Sequence, residues 1–77
     1  MTEKQWCDEI AKELVGRKIV RVFYLIPKEA ETLMWSKRPI VFELDNGKFL
    51  FPMSDDEGND GGAMFYTDEV LSTIPVM

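Results

Sequence analysis

The chain has 77 residues, of which 45% are hydrophobic and 12% aromatic, with no histidine, one cysteine and a net charge of −5. A chain of this length makes one domain and buries only about 60% of the surface that it exposes when unfolded. Cys7 alone cannot form an intrachain disulfide, and the lack of histidine argues against a structural zinc site and excludes a histidine-based acyl-transfer triad.

Core packing and association are then the remaining sources of stability, and a homo-oligomer, most simply a twofold dimer, is expected. The charge is uneven: residues 1–16 carry −2, residues 17–48 carry +3 and residues 49–77 carry −6 with no Lys or Arg. That balance disfavours a nucleic-acid partner and leaves two readings of the acidic end, simple solubility or a face for a basic protein. A single cysteine and the absence of an apolar targeting region in MTEKQW point to the cytoplasm. The longest apolar run, residues 22–26, is too short to span a bilayer.

The first element is a helix. Thr2 and Gln5 have capping-box spacing, and Trp6, Ile10 and Leu14 with Cys7, Ala11 and Val15 form one apolar stripe at helical period. The stripe makes Trp6 and Cys7 core residues, and Gly16 suits the left-handed residue beyond the end. IVRVFYLI, residues 19–26, is rich in β-branched and aromatic types and is apolar on both faces, so it reads as a central strand covered on both sides, ended by Pro27. Residues 27–38 read as a loop into a strand starting near Leu33; a helical turn over 29–34 is the alternative. In PIVFELDNGKFLFPM, Asn46-Gly47 suits a two-residue type I′ turn. That turn sets Leu44 opposite Phe49 and Phe42 opposite Phe51, with one wholly apolar face. A glycine-bulge turn would slip the register and move Lys48 and Pro52 to that face.

After MSDDEGNDGG come a short strand at 63–67, a turn capped by Thr67 over residues 68–71, and an apolar IPVM that is expected to dock on its own sheet or on a partner. The expected architecture is two-layer α+β: an N-terminal helix on a four- to five-stranded antiparallel meander, as a single domain over residues 1–77.

The candidate binding residues are Asp55, Asp56, Glu57 and Asp60 in the acidic loop, with Trp35 and Arg38. An EF-hand loop needs glycine at its sixth position and glutamate at its twelfth. Starting at Asp55 puts Asp60 and Tyr66 there; starting at Asp56 puts Gly61 and Thr67 there, with Gly58 where a ligand is needed. Neither frame works, so turn chemistry, in which Asp and Asn bond nearby amides and glycines reverse the chain, is the favoured reading of the loop. No metal, cofactor or catalytic residue is implied. Trp35 beside Lys37 and Arg38 reads as packing or, because Trp and Arg are enriched at hot spots, as a binding residue.

ELDNGKFLFP followed by DDEGNDGGAMF resembles a pattern in small bacterial proteins of unknown function, including ones carried on mobile (integron) gene cassettes. The resemblance covers about residues 38–66. It implies a bacterial cytoplasmic α+β protein and brings no activity, ligand or catalytic residue. The expected function is a small oligomerising, protein-binding domain. The alternatives are an acidic inhibitor or immunity-type protein facing a basic partner, and a small enzyme or ion-binding protein with its site at residues 55–60; an enzyme is the less favoured class.

Overall fold

The computed structural model describes residues 1–67 and 70–77. The chain is α+β with antiparallel sheets, but its strands form two sheets rather than one meander: three strands in the order β1-β2-β3, and a separate pair β4-β5. Helix α1 (Glu3–Leu14) precedes β1 (Ile19–Tyr24), α2 (Pro27–Thr32), β2 (Ile40–Leu44), β3 (Phe49–Leu50), β4 (Met64–Phe65) and β5 (Thr73–Ile74). The Thr67 turn falls partly on residues 68 and 69, outside the described residues.

α1 starts where its capping box places it: the Gln5 amide donates to Thr2 Oγ1 at 3.2 Å, and Thr2 N donates to Gln5 Oε1 at 2.8 Å. Its apolar stripe, however, does not cover a sheet face. Trp6 is 54% exposed and Ile10 49%, and Cys7 is exposed rather than in the core. Only the last turn reaches the sheet, where Leu14 and Leu44 line a small cleft and Lys48 Nζ lies 3.4 Å from Glu13 Oε2.

β1 lies at a sheet edge, not in the centre. It pairs with β2 through Arg21↔Glu43, Val22↔Phe42, Phe23↔Val41 and Tyr24↔Ile40, with a bulge between Ile19 and Arg21. Residues opposite one another share a face, so Arg21, Phe23 and Val41 look one way while Val22, Tyr24, Ile40 and Phe42 look the other.

The hairpin makes the glycine-bulge turn, against the type I′ expectation. Gly47 N donates to Leu44 O at 3.0 Å, Leu44 N donates to Lys48 O at 2.8 Å, and the pairs are Phe42↔Leu50 and Glu43↔Phe49. Gly47 has φ +81°, whereas Asn46 is not left-handed, and a type I′ turn needs both. Phe49 and Phe51 therefore join Phe23, Leu25 and Val41 on one face, while Lys48 and Leu50 share the other with Phe42 and Leu44. The slip is tolerated because Lys48 reaches Glu13 and both faces have apolar residues to offer.

The core lies on the Phe49 face and is capped by α2, which replaces the expected loop, and the next strand starts at Ile40 rather than near Leu33. Pro27 occupies the first helical turn, where its missing N–H costs nothing. Ala30 and Trp35 pack on Leu25 and Val41, with Phe23 and Phe51 around them. α2 ends in a Schellman motif: Trp35 N donates to Ala30 O at 2.8 Å and Met34 N to Glu31 O at 3.0 Å. The residue forced left-handed by that motif is Met34, with φ +61°. Its side chain is 85% exposed, so it makes little packing in return. Left-handed backbone costs an L-residue roughly 1–2 kcal/mol. Met34→Gly is therefore expected to stabilise the domain by about 1 kcal/mol, raising the melting midpoint by roughly 4–8 °C. An unchanged or lower midpoint in a thermal melt would show that the motif is not the stable end of α2.

Candidate functional site

The acidic loop is a fastened reversal. Asp55 Oδ1 accepts from the Glu57 and Asn59 amides at 3.1 and 3.2 Å, and Asp55 Oδ2 accepts from Asn59 Nδ2 at 2.7 Å. Gly58 turns left-handed with φ +71°. The loop closes on itself where Ser54 N donates to Asp60 O at 2.8 Å and Met53 bridges Gly61. Asp60 reaches further. Its Oδ2 accepts from Ser36 Oγ at 2.7 Å, while Oδ1 accepts from the amides of Lys37 and Gly61 at 3.0 and 2.8 Å.

These partners set the acidities. The Asn59 side-chain amide, helped by the Asn59 and Glu57 backbone amides, holds the Asp55 carboxyl below its usual value of 3.8. For Asp60 the Ser36 hydroxyl acts most strongly, followed by the Lys37 amide. Both groups are thus carboxylates whose oxygens are already engaged by neighbouring donors. Among the described residues no three carboxylate or cysteine side chains converge as a metal would require. Asp56 and Glu57 are exposed.

The two remaining candidates lie behind the loop. Trp35 is 8% exposed. Its Nε1 donates to Gly58 O at 2.7 Å, and its ring meets Phe51 edge to face with centroids 5.9 Å apart. Packing, not exposure, is therefore what the structure shows for Trp35. Arg38 exchanges two backbone hydrogen bonds with Met77, so the IPVM stretch docks on the segment before β2. Two separate ties hold the loop to residues 35–37, one from Asp60 to Ser36 and Lys37 and one from Trp35 to Gly58; Asp56, Glu57 and Arg38 supply neither.

Sequence reasoning missed two surfaces. The first is an apolar groove of about 530 Å³ on the core face, lined by Phe23, Leu25, Val41, Phe49 and Phe51, with Arg21 and Glu29 among its polar groups. Arg21 is held there by Glu43 Oε1 at 2.8 Å, with its guanidinium 4.3 Å from the centre of the Phe23 ring. The second is the outer edge of β1 together with Val20 and Val22, which are 57% and 53% exposed. The two-sided apolar pattern of residues 19–26 was the signal for both, since it marks a strand that needs cover on each face.

No helix among the described residues is long and apolar enough to cross a membrane. Comparison with protein-family models, curated proteins and solved structures finds no match.

Proposed function

We propose that the chain is an association domain that works as a homodimer and offers its remaining apolar surface to another protein. The observation that carries this reading is the surface left open. The accessible area is 6114 Å² for a mass of 8.9 kDa. A compact monomer of that mass exposes about 4,800 Å². The excess, about 1,300 Å², is larger than the ~800 Å² per partner that a standard interface buries. The shape agrees, because the Cα radius of gyration is 13.7 Å where a compact chain of this length has about 11.5 Å. Large apolar residues contribute to this open surface: Trp6 and Ile10 on α1, Val20 and Val22 on β1, and Phe49 on β3 are each about half exposed.

The protein-binding reading draws support from these groups. An acidic face for a basic partner is a weaker second reading, favoured by the exposed Asp56 and Glu57 but drawing on only half of the loop's four carboxylates. Light scattering on the purified chain is the test. A mass near twice 8.9 kDa is expected at high micromolar concentration, falling on dilution. A stable monomer throughout that range would overturn the proposal.

A further inference from the structure

We infer that the dimer forms by antiparallel pairing of β1 with β1 of a second copy, on a twofold axis through Phe23, so that the two three-stranded sheets become one of six. The inference rests on the association reading above and specifies its interface.

The hydrogen-bonding pattern supplies the first argument. Leu25 N donates to Pro39 O at 2.9 Å, and inward-facing groups alternate along an antiparallel pair. Leu25, Phe23 and Arg21 therefore turn their amides and carbonyls toward β2, while Val22 and Tyr24 turn theirs outward. Among the described residues no strand lies on that side. The regular stretch runs from Arg21 to Leu25, since the bulge disturbs the strand before Arg21. Its centre is Phe23, and the outward groups sit one residue to either side. A twofold axis there sets Val22 opposite Tyr24 of the second copy and Tyr24 opposite its Val22, which satisfies the outward groups of the regular stretch in both chains.

Neighbouring registers are worse: moving the axis to Tyr24 sets Val22 against Ile26, whose carbonyl already accepts from the Ala30 amide at 3.1 Å. Moving the axis to Val22 sets Tyr24 against the bulged Val20. Moving it to Arg21 sets two arginines directly opposite each other, which is destabilising. In the Phe23 register, Arg21 faces Leu25, and Phe23 meets Phe23 at a close, non-hydrogen-bonded pair.

Charge agrees with the antiparallel sense. Arg17 and Lys18 precede β1, whereas α2 follows it with Lys28, Glu29 and Glu31, a net charge of −1. Antiparallel apposition brings the basic end of each copy toward the acidic end of the other. The other side of the sheet does not compete. β3 is two residues long, and the chain beyond it is taken up within the molecule, where Gly62 N donates to Pro52 O and Met53 bridges Gly61. Pairing through β1 therefore closes as a dimer instead of growing into a filament. It also joins the two apolar grooves across the axis, because Phe23 lines each of them.

The test is amide hydrogen exchange on the unmodified chain across its dilution series, with Val22→Pro as the companion variant. The Val22 and Tyr24 amides are expected to exchange at least about tenfold more slowly at concentrations where light scattering finds dimer. Val22→Pro removes an outward donor that the monomer does not use, as edge strands allow, so it is expected to keep the circular dichroism of the parent and lose the dimer. A dimer whose Val22 and Tyr24 amides exchange as fast as in the dilute monomer would overturn the β1 interface and leave the association reading standing. A chain that never dimerises would overturn both.

Discussion

Trp35→Ala is expected to cost about 3–5 kcal/mol, the range for removing a large aromatic from a core. A chain of 77 residues has roughly 4–12 kcal/mol of total stability, so much of the population would be unfolded at 25 °C or the midpoint would fall by well over 10 °C. The reason is that Trp35 joins three parts of the molecule. Its ring packs with Leu25, Ala30 and Val41 and lies edge to face on Phe51, and its N–H ties Gly58 of the acidic loop to the core. Trp35→Phe separates these roles. It keeps a ring against Phe51 but leaves the Gly58 carbonyl without its donor, a loss of about 1–3 kcal/mol. Urea unfolding followed by circular dichroism reads both variants, since Trp6 would complicate fluorescence. A loss below about 1 kcal/mol for Trp35→Ala would contradict the placement of this residue in the core.

Local signals were legible in the sequence and long-range ones were not. The Thr2–Gln5 box is settled within four residues and forms as its spacing requires. The strand at β1, the hairpin around Asn46-Gly47 and the turn character of the Asp55 loop are equally local, and each is present. The hairpin register differs from the expected one because a single buried face is needed for the apolar pattern to fix it. Here Phe49 and Phe51 serve the core face while Ile40 and Leu44 are buried on the other, so the apolar pattern fitted two registers and the turn geometry decided between them. α2 is only the second reading of its segment, a helical turn over 29–34 behind a loop, because it is six residues long and buries only Ala30, which leaves no stripe to read. Pro27 announced the end of a strand and equally the start of a helix. The partners of Asp60, Ser36 and Lys37, lie more than twenty residues away, and no spacing rule reaches them. The α1 stripe was read correctly as apolar and wrongly as covered, since periodicity shows which residues want burial but not what supplies it.

Gly61→Ala is the second large effect, and its cause is purely steric. Gly61 is not left-handed, so alanine could adopt its backbone. A Cβ there, however, would lie 2.5 Å from Pro39 Cδ and 2.9 Å from Lys37 O. Pro39 is fully buried and cannot swing aside, and the Lys37 backbone is held by Asp60. The loop would have to lift off the 37–39 segment, breaking the Asp60 bonds to Ser36 and Lys37 and loosening the Trp35–Gly58 contact. Overpacking of this kind costs roughly 1–3 kcal/mol, and the lost hydrogen bonds place Gly61→Ala at or above the upper end of that range. Gly47→Ala gives the contrast: its Cβ would meet nothing within 4 Å, and its cost is the left-handed backbone alone, about 1 kcal/mol. Equilibrium unfolding should therefore rank Gly61→Ala as the more damaging of the two. The reverse order would mean that the loop does not sit against Pro39. If the expected order holds, the glycine that looks like part of a flexible acidic tract is what seats the tract. Asp56 and Glu57 are then carried on a fixed turn anchored to the core through Trp35, and any partner that reads them meets a preset surface.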